Sequence, residues 1–161
     1  NSGIKRYLQL CDALQLDIDY VKSCEGLLPA SRFAVDAYVN FVGSRSLLEA
    51  IASSLTEIYA PAIHAERISG LSKHYKWADD YALAYFKKRI GQARKDVEFG
   101  KEWVIKNAIT RDDQEAVLGA IRFKTEVLWA QLDALYYAYV DPGYIPPGAF
   151  IPKGFNEKAW K

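Results

Sequence analysis

Thr110-Arg-Asp-Asp-Gln-Glu-Ala-Val-Leu-Gly-Ala-Ile-Arg-Phe-Lys-Thr-Glu-Val-Leu-Trp-Ala-Gln-Leu132 opens a long periodic run. Within and beyond it, Val117, Ile121, Leu128, Leu132, Leu135 and Tyr139 recur at steps of three, four and seven. That spacing puts them on one face of an α-helix. Thr110 caps the helix, Asp112 and Asp113 sit favourably near its positive end, and the pattern carries it to about Val140. Lys124 falls on the same face, between Ile121 and Leu128. A cation there is costly unless it is paired or borders a wet cavity. A lysine snorkelling at the rim of a groove is the plain alternative.

Working back from that helix, the rest of the chain reads as helical too. A helix over about Asp80–Asn107 carries Phe86, Ile90, Ala93, Val97, Gly100 and Val104 in a four-three alternation. Ser46-Leu-Leu-Glu49 is a capping box, opening a helix through Leu47, Ile51, Leu55 and Ile58. Pro61 removes a donor and crowds the carbonyl of Glu57, predicting a kink or break near Ala60-Pro61. Helix resumes through His64 and Ile68, with Ser69-Gly70 and Tyr75–Asp79 read as a connection. Pro29 opens an earlier helix that ends at Gly43 and carries Phe33, Ala34, Ala37, Tyr38 and Phe41. Ile4, Tyr7, Leu8, Cys11 and Leu14 mark the first helix, broken by Asp17 and Asp19. No segment alternates as a strand would. The expected fold is an all-α bundle over residues 1–140. A Pro/Gly-rich tail or interdomain linker follows over 141–161.

Composition narrows the function. The 161 residues carry 21 basic and 20 acidic side chains, a net charge of +1, so the basic excess of a general nucleic-acid binder is missing. No apolar run reaches the ~20 residues of a membrane span. The two cysteines, Cys11 and Cys24, fit neither a zinc pattern nor a disulfide framework, which points to a reducing, cytoplasmic setting. With no methionine in the chain, Asn1 is expected to lie inside a longer protein.

Polar residues beside core stripes carry the functional signal. Ala50, Ser54, Glu57, Pro61 and His64 lie three or four residues apart, with Arg67 following His64 by three. They lie on one side of the kinked helix, a small and polar stripe able to line a pocket. A solvated face with a structural histidine is the alternative. Tyr85 and Arg89 stand four apart beside Phe86 and Ile90, on an edge continued by Gln92 and Asp96. A surface ion pair would explain that edge equally well. Together with Lys124, Glu57, His64, Arg67, Tyr85 and Arg89 flank the core stripes of three helices, the arrangement from which bundles build ligand sites. Three cations among them suit a polycarboxylate or phosphate. One Glu and one His make no metal cage, and neither His64 nor His74 follows a Glu at the Glu-x-x-His spacing. Glycine-rich phosphate loops and nucleophile elbows are missing as well.

Four stretches together resemble the pyrroloquinoline-quinone synthase family. They are Arg32-Phe-Ala-Val-Asp-Ala-Tyr38, Ser53-Ser-Leu-Thr-Glu57 through Pro61 to His64 and Arg67, Tyr85-Phe-x-x-Arg89, and Phe123-Lys124 through Leu128-Trp129 to Leu132-Asp-Ala134. The resemblance runs from near Asn1 to about Tyr139. It implies a heme-oxygenase-like bundle of seven helices, incomplete here at the N-terminus, and commonly a homodimer. It also implies a metal-free, cofactor-free oxidase whose substrate is a polycarboxylate quinone precursor. That enzyme closes a ring and removes eight electrons with O2, releasing hydrogen peroxide. By matching positions, Tyr38, Glu57, His64, Arg67, Tyr85, Arg89 and Lys124 line the site. His64, Tyr85 and Arg89 fall to catalysis, and Tyr38, Glu57, Arg67 and Lys124 to substrate binding. A peptide-chaperone protein of the same pathway, fused or separate, is a further implied partner. A thiaminase-type hydrolase of the same fold would need a reactive Cys beside a carboxylate. A non-enzymatic helical interaction module would leave Lys124, His64 and Arg89 facing solvent or paired structurally.

Overall fold

The structure is a computed structural model and describes residues 2–155. Seven α-helices and one 3-10 helix account for the ordered elements, with no strand among the described residues. They are α1 (Gly3–Ala13), α2 (Ile18–Ser23), α3 (Pro29–Ser44), α4 (Leu47–Ser53), the 3-10 helix (Ser54–Tyr59), α5 (Ala60–His74), α6 (Ala84–Asn107) and α7 (Arg111–Tyr139). The starts follow local chemistry. Ser46 and Thr110 each close a capping box, with Glu49 and Asp113 reaching back to the cap backbone. Pro29 takes the first turn of α3. Asp17 accepts from the backbone N–H groups of Asp19 and Tyr20, so it begins α2 as much as it interrupts α1.

Helix α6 is the spine. Helices α1 and α5 and the 3-10 helix pack along it, while α3 and α4 pack on α7. At one end of α6, Leu83 and Phe86 join Leu10 and Ala82, with Ile68, Leu71 and Trp77 around them. At the other end Val104 meets Ala52, Val117 and Ala120, with Ile51, Leu55 and Ile121 around them. The alanines at these contacts are 0–1% exposed, and their small side chains let the rods approach closely. The tail folds back. Ala149 packs with Leu28 and Ala138, Phe150 donates its N–H to the Gly26 carbonyl at 2.9 Å, and Tyr139 Oη donates to the Phe150 carbonyl at 2.9 Å. The last six residues of the expected tail, 156–161, lie outside the described part.

Four expectations need correction. The helical break lies upstream of Pro61, where α-winding gives way to 3-10 winding over Ser54–Tyr59. Pro61 itself sits in the first turn of α5, where a missing N–H costs little. Ser69 and Gly70 are helical, because Ile68 and Leu71 on either side are anchored against the Leu83/Phe86 cluster. Helix α6 begins at Ala84 rather than Asp80. The α7 stripe is only half covered: Val117 is buried, whereas Leu128, Leu132 and Leu135 are 37%, 64% and 39% exposed. The seven-residue α4 spans a fraction of the 29-residue α7, so it cannot reach them. Phe33, Leu47 and Ile58 are likewise exposed.

Denaturant unfolding separates the covered from the uncovered stripe. Leu83→Ala, at a side chain 1% exposed, should cost about 2–5 kcal/mol. Leu132→Ala should stay within about 0.5 kcal/mol.

Candidate active site

Of the seven expected site residues, Glu57, His64, Arg67, Tyr85 and Arg89 gather in a groove beside α6, while Tyr38 and Lys124 meet each other between α3 and α7. The 3-10 helix delivers Glu57, whose Oε2 accepts from Arg89 Nη2 at 3.1 Å. Arg89 Nη1 also lies 3.7 Å from Asp96 Oδ2, two turns further along α6. Arg89 is thus held between two carboxylates, and its positive charge is largely compensated in place. From α5, the His64 ring stands edge-on to Tyr85 with centroids 6.3 Å apart, and 5.6 Å from Phe86. One turn on, the Arg67 guanidinium lies over Phe86 at 5.2 Å. From α7, Lys124 Nζ sits 3.4 Å from the centroid of the Tyr38 ring on α3. Electrostatic coupling of Glu57 to both Lys124 and His64 joins the two ends of the cluster.

Burial sets the protonation states. His64 Nδ1 is buried with no hydrogen-bond partner among the described residues. An imidazolium would place an unsatisfied N–H there, so the neutral form is favoured. Desolvation, then the charges of Arg67 and Arg89, hold the imidazole below its ordinary value of 6.5, with Glu57 pulling the other way. With Nδ1 sealed, Nε2 is the nitrogen left to exchange protons. Burial likewise lowers the Lys124 ammonium, again opposed by Glu57. Neither Lys124 nor Arg67 has an ion-pair partner among the described residues, in contrast to Arg89.

The groove is open, not a closed chamber: the Glu57 side chain is 46% exposed. Next to Tyr85 and Arg89, a cavity of about 410 Å³ is walled by Gly3, Ile4, Tyr7 and Leu8 of α1 together with Gln92. Tyr7 stands edge-on to Tyr85 at 5.3 Å, and its hydroxyl pKa is raised, chiefly by burial. Sequence reasoning places Tyr7 on an apolar stripe; its phenol, a polar tip on that stripe, is the signal that it borders the groove. Ser53, which accepts from Tyr38, gives no such sign. No three His, Cys, Asp or Glu side chains among the described residues gather as a metal cage would require. No helix there is long and apolar enough to cross a membrane.

The profile of the TENA/THI-4/PQQC family matches residues 1–134. A protein of Rhizobium meliloti (strain 1021) named pyrroloquinoline-quinone synthase is 60% identical over 148 residues, covering 92% of this chain and 58% of that protein. Proteins of the same name from Rhodopseudomonas palustris (strain TIE-1) and Gluconobacter oxydans (strain 621H) are 56% and 55% identical. These alignments cover 95% and 93% of this chain, and 60% and 62% of those proteins. The chain therefore spans about three-fifths of the length of the curated relatives it matches.

Two pH effects follow. Below 6.5 the unfolded chain binds a proton at residue 64 that the folded chain resists. Stability should therefore fall as pH drops through 6.5 towards the lower folded value, and His64→Gln should flatten that slope in pH-dependent unfolding. Glu57→Gln removes the charge that raises both neighbours, so NMR titration should find the His64 and Lys124 values lower still.

Proposed function

The chain belongs to the TENA/THI-4/PQQC family, and on that premise we propose that it works in pyrroloquinoline quinone biosynthesis as a cofactor-free oxidase. Its reaction is ring closure and eight-electron oxidation of a bicyclic tricarboxylate quinone precursor, with O2 as acceptor and hydrogen peroxide released. The family's heme-oxygenase-like helical fold agrees with the all-α bundle, and relatives at 55–60% identity bear the synthase name. One observation supports the substrate class above the others. Lys124 and Arg67 are cations set against aromatic rings without a carboxylate partner among the described residues, available to an anionic aromatic guest.

The chemistry follows from the residues. Ring closure and dehydrogenation move protons from carbon and nitrogen. A histidine held neutral near pH 7, exchanging through Nε2, can accept them. Lys124 and Arg67 hold carboxylates or quinone oxygens, and Tyr38 and Glu57 complete that binding wall. Tyr85 and Arg89 border the place where O2 is reduced, and the Tyr85 hydroxyl dipole is available to stabilise developing peroxide. Because Arg89 is already neutralised by Glu57 and Asp96, its part is to hold geometry more than to draw in an anion. A thiol nucleophile of the thiaminase type is poorly served: Cys11 is buried with its pKa raised, and Cys24 lies exposed just after α2. The same proposal includes a homodimer, for which exposed Trp129 and Tyr136 on α7 offer apolar surface. It also includes a peptide-chaperone partner, fused or separate.

The test is anaerobic incubation of the protein with the precursor, then admission of oxygen. The quinone absorbance and peroxide should rise together. His64→Ala should slow that rise by about 10²–10⁴-fold. A wild-type protein that yields neither product ends the proposal, and a His64→Ala variant at full rate removes His64 from proton transfer.

A further inference from the structure

Ser53 closes α4 and is completely buried. Its Oγ lies 2.7 Å from the Ala50 carbonyl oxygen and 3.1 Å from Tyr38 Oη. A serine hydroxyl has one proton, and a carbonyl oxygen can only accept. The proton of Ser53 therefore goes to Ala50, and Tyr38 is the donor to Ser53. That order fastens the phenol end of Tyr38 from inside the bundle, 15 residues away in sequence. The face of the same ring carries the Lys124 ammonium at 3.4 Å. A cation over a ring is held by the ring's quadrupole, so its position follows the ring's.

We propose that Ser53 is a positioning residue for Lys124: the chain of donors Tyr38 to Ser53 to Ala50 orients the ring on which the Lys124 ammonium rests. It thereby sets the side from which that ammonium meets an anionic ligand. The ligand half of this statement rests on the groove being the anion-binding site described above; the geometric half does not. The competing role is local. Ser53 would bond Ala50 only to end α4, as serines near helix ends do, and Tyr38 would be incidental.

The two roles part in Tyr38→Phe, which removes one oxygen and leaves the Ser53–Ala50 bond intact. In protein carrying ¹³C-labelled lysine, the ε-methylene resonance of Lys124 should lie upfield under the Tyr38 ring current, identified by its loss in Lys124→Arg. Tyr38→Phe and Ser53→Ala should each move it back by similar amounts, and the double variant should move it no further. Affinity for pyrroloquinoline quinone, followed by its absorption spectrum, should weaken about three- to tenfold in either variant. A Lys124 resonance unmoved in Tyr38→Phe, or shifts that add in the double variant, overturns the proposal. So does unchanged quinone affinity in both variants of a protein that binds it. Should Ser53→Ala fail to fold, Tyr38→Phe alone decides. If the wild type binds no quinone, the proposed function fails, and the resonance still decides the geometry.

Discussion

A 3-10 helix turns about 120° per residue where an α-helix turns about 100°, so six residues of the tighter winding rotate everything downstream by about 120°. Ser54–Tyr59 makes that rotation between α4 and α5. Without it, Ala50, Glu57 and His64 would share one helical side. With it, Glu57 meets Arg89, and His64 packs on Tyr85 and Phe86. Glu57, His64 and Arg67 take their direction from this short stretch.

The groove divides its cations into two kinds. Arg89, fixed between Glu57 and Asp96, behaves as part of the scaffold. Lys124 and Arg67 rest on aromatic faces, whose hold is weaker than a carboxylate's and is easily exchanged for a ligand anion. Neutral His64 lies close enough to feel Arg67, Arg89 and Glu57 together, so its protonation reports the charge balance of the whole site.

Much of the fold is legible in the sequence because its signals are local. Ser46 with Glu49, Thr110 with Asp113, and Pro29 announce helix starts within four residues of themselves. The stripe on α6, from Phe86 to Val104, is visible for the same reason. Periodicity states which residues share a face, but not whether another element covers it. Leu128, Leu132 and Leu135 are therefore invisible as exposed residues until α4 is seen to be short. Gly70 disfavours helix on its own by about 1 kcal/mol, and packing of Ile68 and Leu71 overrules it. Six of the site residues stand out as polar positions beside apolar stripes, whereas Tyr38, read with Phe33 and Phe41 on the faces of its helix, enters only through the family resemblance. Ser53 does not stand out, because its significance lies entirely in a partner 15 residues away.

The returning tail has a consequence in time. Leu28 finds Ala138 and Ala149, and the Gly26 carbonyl finds its donor on Phe150, only once more than 120 further residues have been made. During synthesis the corner between α2 and α3 must wait with its apolar side unshielded until residue 150 emerges from the ribosome, a delay set by translation speed. The tail thus fastens that corner late, and a nascent chain arrested before residue 150 would present it to chaperones.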